Sequence, residues 1–130
     1  MKRSPVLILI FVTLLFSCNG GASDPVSRTK DFITAVDNFR FDKAREMVTE
    51  DYLPMLENIE KYSNSKSGEE KAKYIKEASE RKYIYHQLSA DDSSATVVAT
   101  AEGKIMAEIQ IEFHLVKRDK KWLIDSQQGE

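Results

Sequence analysis

Apolar residues change their spacing twice along this chain, and each change marks a boundary. Val6 to Phe16 form a nearly unbroken apolar run behind the cations Lys2 and Arg3. From about Val26 the period becomes helical: Phe32, Val36 and Phe39 recur on one stripe, widened by Ile33 and Ala35. Asp24-Pro25 or Ser27 can cap that helix at its start. Asn38-Phe39-Arg40-Phe41-Asp42 reads as a break, with Asp42 placed to cap a short second helix over Lys43 to Val48. Thr49-Glu50-Asp51 offers a further start, and Leu53, Leu56 and Ile59 then share one face as far as Tyr62. Pro54 falls in the first turn of that helix, where a missing amide hydrogen costs nothing. A polar loop from Ser63 ends in Ser67-Gly68-Glu69-Glu70, the pattern of a capping box. The helix it opens runs to about Glu80 and turns only Ala72, Ile75 and Ala78 inward, so a peripheral position is expected.

From Lys82 the period drops from 3.6 to 2. Tyr83 to Leu88 is a first strand, Ala90 to Ser93 a turn and Ala95 to Ala101 a second strand. Glu102-Gly103 makes a tight hairpin into the longest strand. There Ile105, Ala107, Ile109, Ile111, Phe113 and Leu115 alternate with Lys104, Met106, Glu108, Gln110, Glu112 and His114. One face is apolar and the other polar, as in an antiparallel sheet covered by helices on a single side. Arg118-Asp119-Lys120 turns the chain, without a glycine, into a last strand over Trp122-Leu123-Ile124. The fold class predicted is α+β: N-terminal helices packed on one face of a curved antiparallel sheet of about four strands, a roll.

The first seventeen residues have the three parts of a secretory signal peptide: cations, a short apolar stretch and a small residue before the cut. The apolar run is shorter than the ~20 residues of a membrane-crossing helix. Leu15-Phe16-Ser17-Cys18 resembles the recognition sequence of lipoprotein signal peptidase, with Leu15 and Ser17 as the recognition residues and Cys18 as the lipidated one. Cys18 is the chain's single cysteine, which excludes an internal disulfide framework and a multi-cysteine metal site. Residues 1–17 are therefore read as a lipoprotein signal peptide and 18–26 as a lipid-anchored flexible tether. Residues 27–127 form one α+β domain. Stable attachment needs more than one acyl chain, which a multiply acylated cysteine supplies. Loss of Lys2 and Arg3 takes the formal charge from −2 to −4, with both signs interspersed. Nothing here offers nucleic acid a basic stripe, so no nucleic-acid partner is expected.

The order of elements, helices and then a meander of antiparallel strands, resembles the nuclear-transport-factor-2-like superfamily, also called cystatin-like. More narrowly, the chain is similar to a group of bacterial lipoproteins with that fold. Two clusters carry the likeness: Phe32, Ala35 and Asn38 to Ala44; and Phe113 to Asp125, a Leu-x-Lys strand end, a charged hairpin and a Trp-x-Ile strand. These are packing and turn motifs, spanning nearly all of residues 27–127. The resemblance implies a cone whose open end can hold a pocket. Enzymes of that fold, such as ketosteroid isomerases and scytalone dehydratase, place an Asp, His or Tyr in such a pocket, while many members have no known reaction.

The candidate pocket is drawn from His86, Ile84, Tyr52, Ile109 and Phe113. His86 shares parity with Ile84 and Leu88 and is expected to face the helices, as a core or rim imidazole rather than a catalytic base. Tyr52, Tyr74, Tyr83 and Tyr85 can stack on a ligand, yet aromatics in a small domain are usually core filler with a polar tip. His114 lies with Glu108 and Glu112 on the polar face, too spread along the strand to hold a metal. No nucleophile elbow or glycine-rich phosphate loop is present, and no cofactor or metal is expected. The expectation is a membrane-anchored, non-catalytic envelope protein that binds a small hydrophobic ligand or an envelope partner, as a monomer or weak homodimer. Two alternatives are an isomerase- or dehydratase-type enzyme using His86, and a self-associating structural protein. The second would join through an outer sheet patch of Tyr85, Val98 and Met106.

Overall fold

The structure, a computed structural model, describes residues 24–102 and 109–129. The signal peptide, Cys18 with Leu15 and Ser17, and the Gly103 hairpin with residues 104–108 lie outside the described residues. Helix α1 (Pro25–Asp37) opens on Asp24, whose carboxylate accepts from the Ser27 amide at 2.8 Å. The expected tether therefore ends at Asp24, because Pro25 and Val26 already belong to the helix. α1 closes in a Schellman motif: the Arg40 amide donates to the Ala35 carbonyl and the Phe39 amide to that of Val36. The left-handed residue of this motif is Phe39, with φ of 58°, where glycine is usual.

The break after α1 is where the sequence placed it, but Asp42 does not cap the next helix. α2 (Phe41–Arg45) starts two residues earlier, at Phe41, and has no side-chain cap, because Phe41 enters the core as its first residue. A 3-10 turn (Glu50–Tyr52) leads into α3 (Leu53–Asn64), which carries Pro54 in its first turn and buries Leu56. α4 (Gly68–Glu80) opens on the complete capping box of Ser67 and Glu70. It buries only Ala78, with Tyr74 and Ile75 half-buried, and leaves Ala72 exposed rather than inward.

The four helices precede an open four-stranded antiparallel sheet in the order β1-β2-β3-β4, so the fold is α+β. Its strands are β1 (Lys82–Ala90), β2 (Ser94–Glu102), β3 (Ile109–Arg118) and β4 (Lys121–Gly129). β4 runs well past the expected Ile124. Its second half is polar, so alternation fades, and pairing with β3 holds it in the sheet. Asp119 and Lys120 form the β3–β4 turn with φ of 52° and 67°. Positive φ at both central positions matches the right-handed strand twist; Asp119 tolerates that conformation, and Lys120 holds it where glycine is usual.

The helices lie on one face. Phe32 of α1 meets Tyr52 and Phe113 edge to face, at 5.6 and 6.1 Å between ring centres. Leu56, Val97, Leu115 and Ile124 are sealed around them. The outer edge of β4 is closed as well: Val48 bridges to Ile124, the Ile124 amide donates to the Met47 carbonyl at 2.8 Å, and the Thr49 amide donates to the Ile124 carbonyl at 2.9 Å. No strand of the described residues pairs with the outer edge of β1.

Candidate functional site

The five residues expected to line one pocket do not converge. Tyr52 and Phe113 are each only 2% exposed and belong to the aromatic core. Ile109 shares the inner face with Phe113 but lies at the end of β3, 40% exposed. Ile84 is 45% exposed and His86 is exposed, both on the outer face of β1. The phase expected for β1 is thus inverted: Tyr83 and Tyr85 face the helices, and Ile84 and His86 face away.

The register supplies the reason. Tyr83 pairs with Ala101 and Tyr85 with Ala99, so small β2 side chains leave room inward for two large rings. Ile84 and His86 pair instead with Thr100 and Val98 on the outer face. Burying two tyrosines outweighs burying Ile84, provided their hydroxyls find partners. Tyr85 cannot then form the outer patch with Val98 and Met106 that self-association through that face required. On the same face, His114 Nε2 lies 3.3 Å from Glu112 Oε2, and the Thr96 hydroxyl lies 3.2 Å from His114 Nδ1. Both ionisable partners are solvated, so the contact contributes little.

What the inverted phase creates is a cleft of about 320 Å³ between α1, α4 and the β1 edge of the sheet. Lys30, Ile33, Thr34, Asp37 and Asn38 line it from α1 and its cap. Ile75, Ala78 and Ser79 come from α4, Arg81 from the junction, and Tyr83 and Tyr85 from β1. Asp37 is its centre. The Tyr74 hydroxyl donates to Asp37 Oδ1 at 3.2 Å and the Tyr83 hydroxyl to Oδ2 at 3.0 Å. Asp37 is also the last residue of α1, where the helix dipole disfavours a negative charge. Burial pushes its carboxyl above the usual aspartate range, while the two hydroxyls and the Arg81 charge pull the other way.

The tyrosines respond in the same direction. Burial, reinforced by the Asp37 charge, pushes Tyr83 and Tyr85 each up to about 12, and it raises Tyr74 as well. All three stay neutral hydroxyls at physiological pH. The Arg81 guanidinium lies 5.2 Å from the centre of the Tyr74 ring, whose other neighbour is Phe39 at 5.5 Å. Tyr83 and Tyr85 stack at 6.1 Å. The result is a polar cluster with an apolar wall of Ile33, Ile75 and Ala78.

Two of its members, Asp37 and Arg81, were not candidates from the sequence. A signal for Asp37 was present: a carboxylate four residues after Ile33 on the buried stripe, at the wrong end of a helix for its charge. Arg81 had none, since its role follows from the angle at which α4 hands over to β1. Among the described residues no cluster of metal-ligating side chains occurs, and no helix is long and apolar enough to cross a membrane. No protein-family model matches the chain, and no curated protein matches it.

Proposed function

We propose that this chain is a lipid-anchored protein of the bacterial cell envelope, with the cone-like domain of the superfamily it resembles acting as a non-catalytic binding module. The observation that carries the binding reading is the Asp37 cleft. Its carboxylate already accepts a hydrogen bond at each oxygen, so it serves to order Tyr74 and Tyr83 as a wall. Lys30 and Arg81 outnumber Asp37 around the opening, and stacked tyrosines stand opposite Ile33 and Ile75. That combination favours a small ligand with an aromatic or apolar body and an anionic or neutral polar end, in place of a purely hydrophobic one.

The probe 8-anilino-1-naphthalenesulfonate has such a body and charge. A form lacking residues 1–18 is expected to bind it at one saturable site, with Thr34→Trp at the exposed rim weakening binding at least about tenfold. Binding unaffected by Thr34→Trp, or absent from the parent protein, refutes the cleft as the site. The anchor is tested separately: a palmitate analogue should label the full chain in cells and fail to label Cys18→Ser.

The raised carboxyl of Asp37 favours a second reading, proton transfer of the isomerase or dehydratase kind. His86 cannot be its base, since it lies on the outer face of the sheet. Turnover of a ketosteroid that Asp37→Asn abolishes while leaving probe binding intact would establish this reading over the first.

A further inference from the structure

The β1 edge of the sheet, unpaired among the described residues, has opposite charges at its two ends. β1 begins beside the cations Arg81 and Lys82 and stops beside the anions Asp91 and Asp92. Between them, Tyr83 to Ala90 contain no acid, lysine, arginine or proline. Those are the residues with which edge strands are ordinarily blunted against pairing. The only such device here is the bulge between Gln87 and Ser89. Five large hydrophobic side chains are exposed among the described residues, and two of them, Ile84 at 45% and Leu88 at 61%, stand on this strand.

We propose that β1 pairs antiparallel with β1 of a second copy of this chain, about a two-fold axis at His86. Two four-stranded sheets then become one continuous sheet. In this register His86 faces His86, and Ile84 of each copy lies beside Leu88, the bulge residue, of the other. The cations Arg81 and Lys82 of each copy come opposite the anions Asp91 and Asp92 of the other. The two exposed apolar residues and both charged ends of the edge are matched by their own rotated images, and the bulge at Leu88 limits the continuous backbone ladder to the stretch around His86. A parallel arrangement would set cation on cation and anion on anion. This self-complementarity selects a second copy over an unrelated strand, and it does not depend on what the cleft binds.

The register is tested in the full chain by symmetric cysteine substitution. Facing residues of an antiparallel pair have Cα atoms about 4.5–5.5 Å apart, within the span a disulfide bridges. With diamide as oxidant in intact cells, His86→Cys should give a reducible species of twice the monomer mass, and the native chain with Cys18 alone sets the background. Lys82→Cys should give at least about tenfold less, because eight residues of strand place its two copies roughly 26 Å apart. Adding Ile84→Lys to His86→Cys should suppress the dimer, whereas Met55→Lys, at an exposed apolar residue of α3, should leave it intact. His86 is exposed, so its substitution leaves the core untouched. No dimer from His86→Cys, equal dimer from Lys82→Cys, or indifference to Ile84→Lys each overturns the proposal.

Discussion

The β4 side of the sheet and its β1 side are built from the same kinds of residue and finished in opposite ways. At β4, Trp122 and Ile124 lie under the helices, and residues 47–49 hydrogen-bond along the outer edge. The Thr49 hydroxyl donates to Asp125 at 2.8 Å, and the Tyr52 hydroxyl bonds Gln127, so both of these polar groups drawn inside have partners on the last strand. At β1 the helices stand off. Tyr83 and Tyr85 stay half-buried, Asp37 takes hydroxyl donors in place of backbone ones, and the outer edge has no strand beside it among the described residues. One end is closed by hydrogen bonds, and the other has the cleft and, among the described residues, the free edge on which both proposals rest. Low local packing where function is exercised is the common arrangement in proteins.

The largest test of this contrast is in the core. Phe113→Ala should cost about 3–5 kcal/mol in urea denaturation, as a sealed aromatic site does. Tyr85→Ala should cost only roughly 1–2 kcal/mol, since part of its side chain is already in water. Equal losses would break the contrast. A smaller effect is expected at the closed edge: Thr49→Val keeps the shape but leaves Asp125 without its hydroxyl donor, for a loss of about 1–2 kcal/mol. A loss under a few tenths in the same assay would mean that the backbone bonds of residues 47–49 close the edge alone.

The subtlest test is pH. Burial raises the Asp37 carboxyl, so folding favours its protonated form. That contribution is complete below the ordinary aspartate range and is lost as pH rises through the folded-state titration. Asp37→Asn should therefore gain on the parent protein as pH rises above the ordinary aspartate range when both are unfolded in urea. A difference that stays constant with pH would show the two tyrosine donors fully offsetting burial, and the open end to be as well satisfied as the closed one.

Much of the fold was legible because its signals are local. The capping box at Ser67 and Glu70, the Asp24 cap, the break at Asn38 and Pro54 in a first turn each depend on residues within four positions. The candidate site was largely illegible. Ile84 and Leu88 outscore Tyr83 and Tyr85 as apolar residues, so alternation alone assigns β1 the wrong phase. Only Ala99 and Ala101, opposite the two rings, reverse it. Asp125 to Gly129 look like a tail in isolation and become strand because β3 offers them partners.

The sequence by itself determined the order of helices and strands, the α+β class, the helix caps and the expectation of an anchor at Cys18. Period, capping chemistry and a short apolar leader are written in neighbouring residues. Tertiary structure decided which face of β1 looks inward, which carboxylate the cleft is built around, and which edge of the sheet has no partner strand among the described residues. Those outcomes depend on side chains far apart in the chain, competing for the same space and the same hydrogen bonds. No local pattern records who wins.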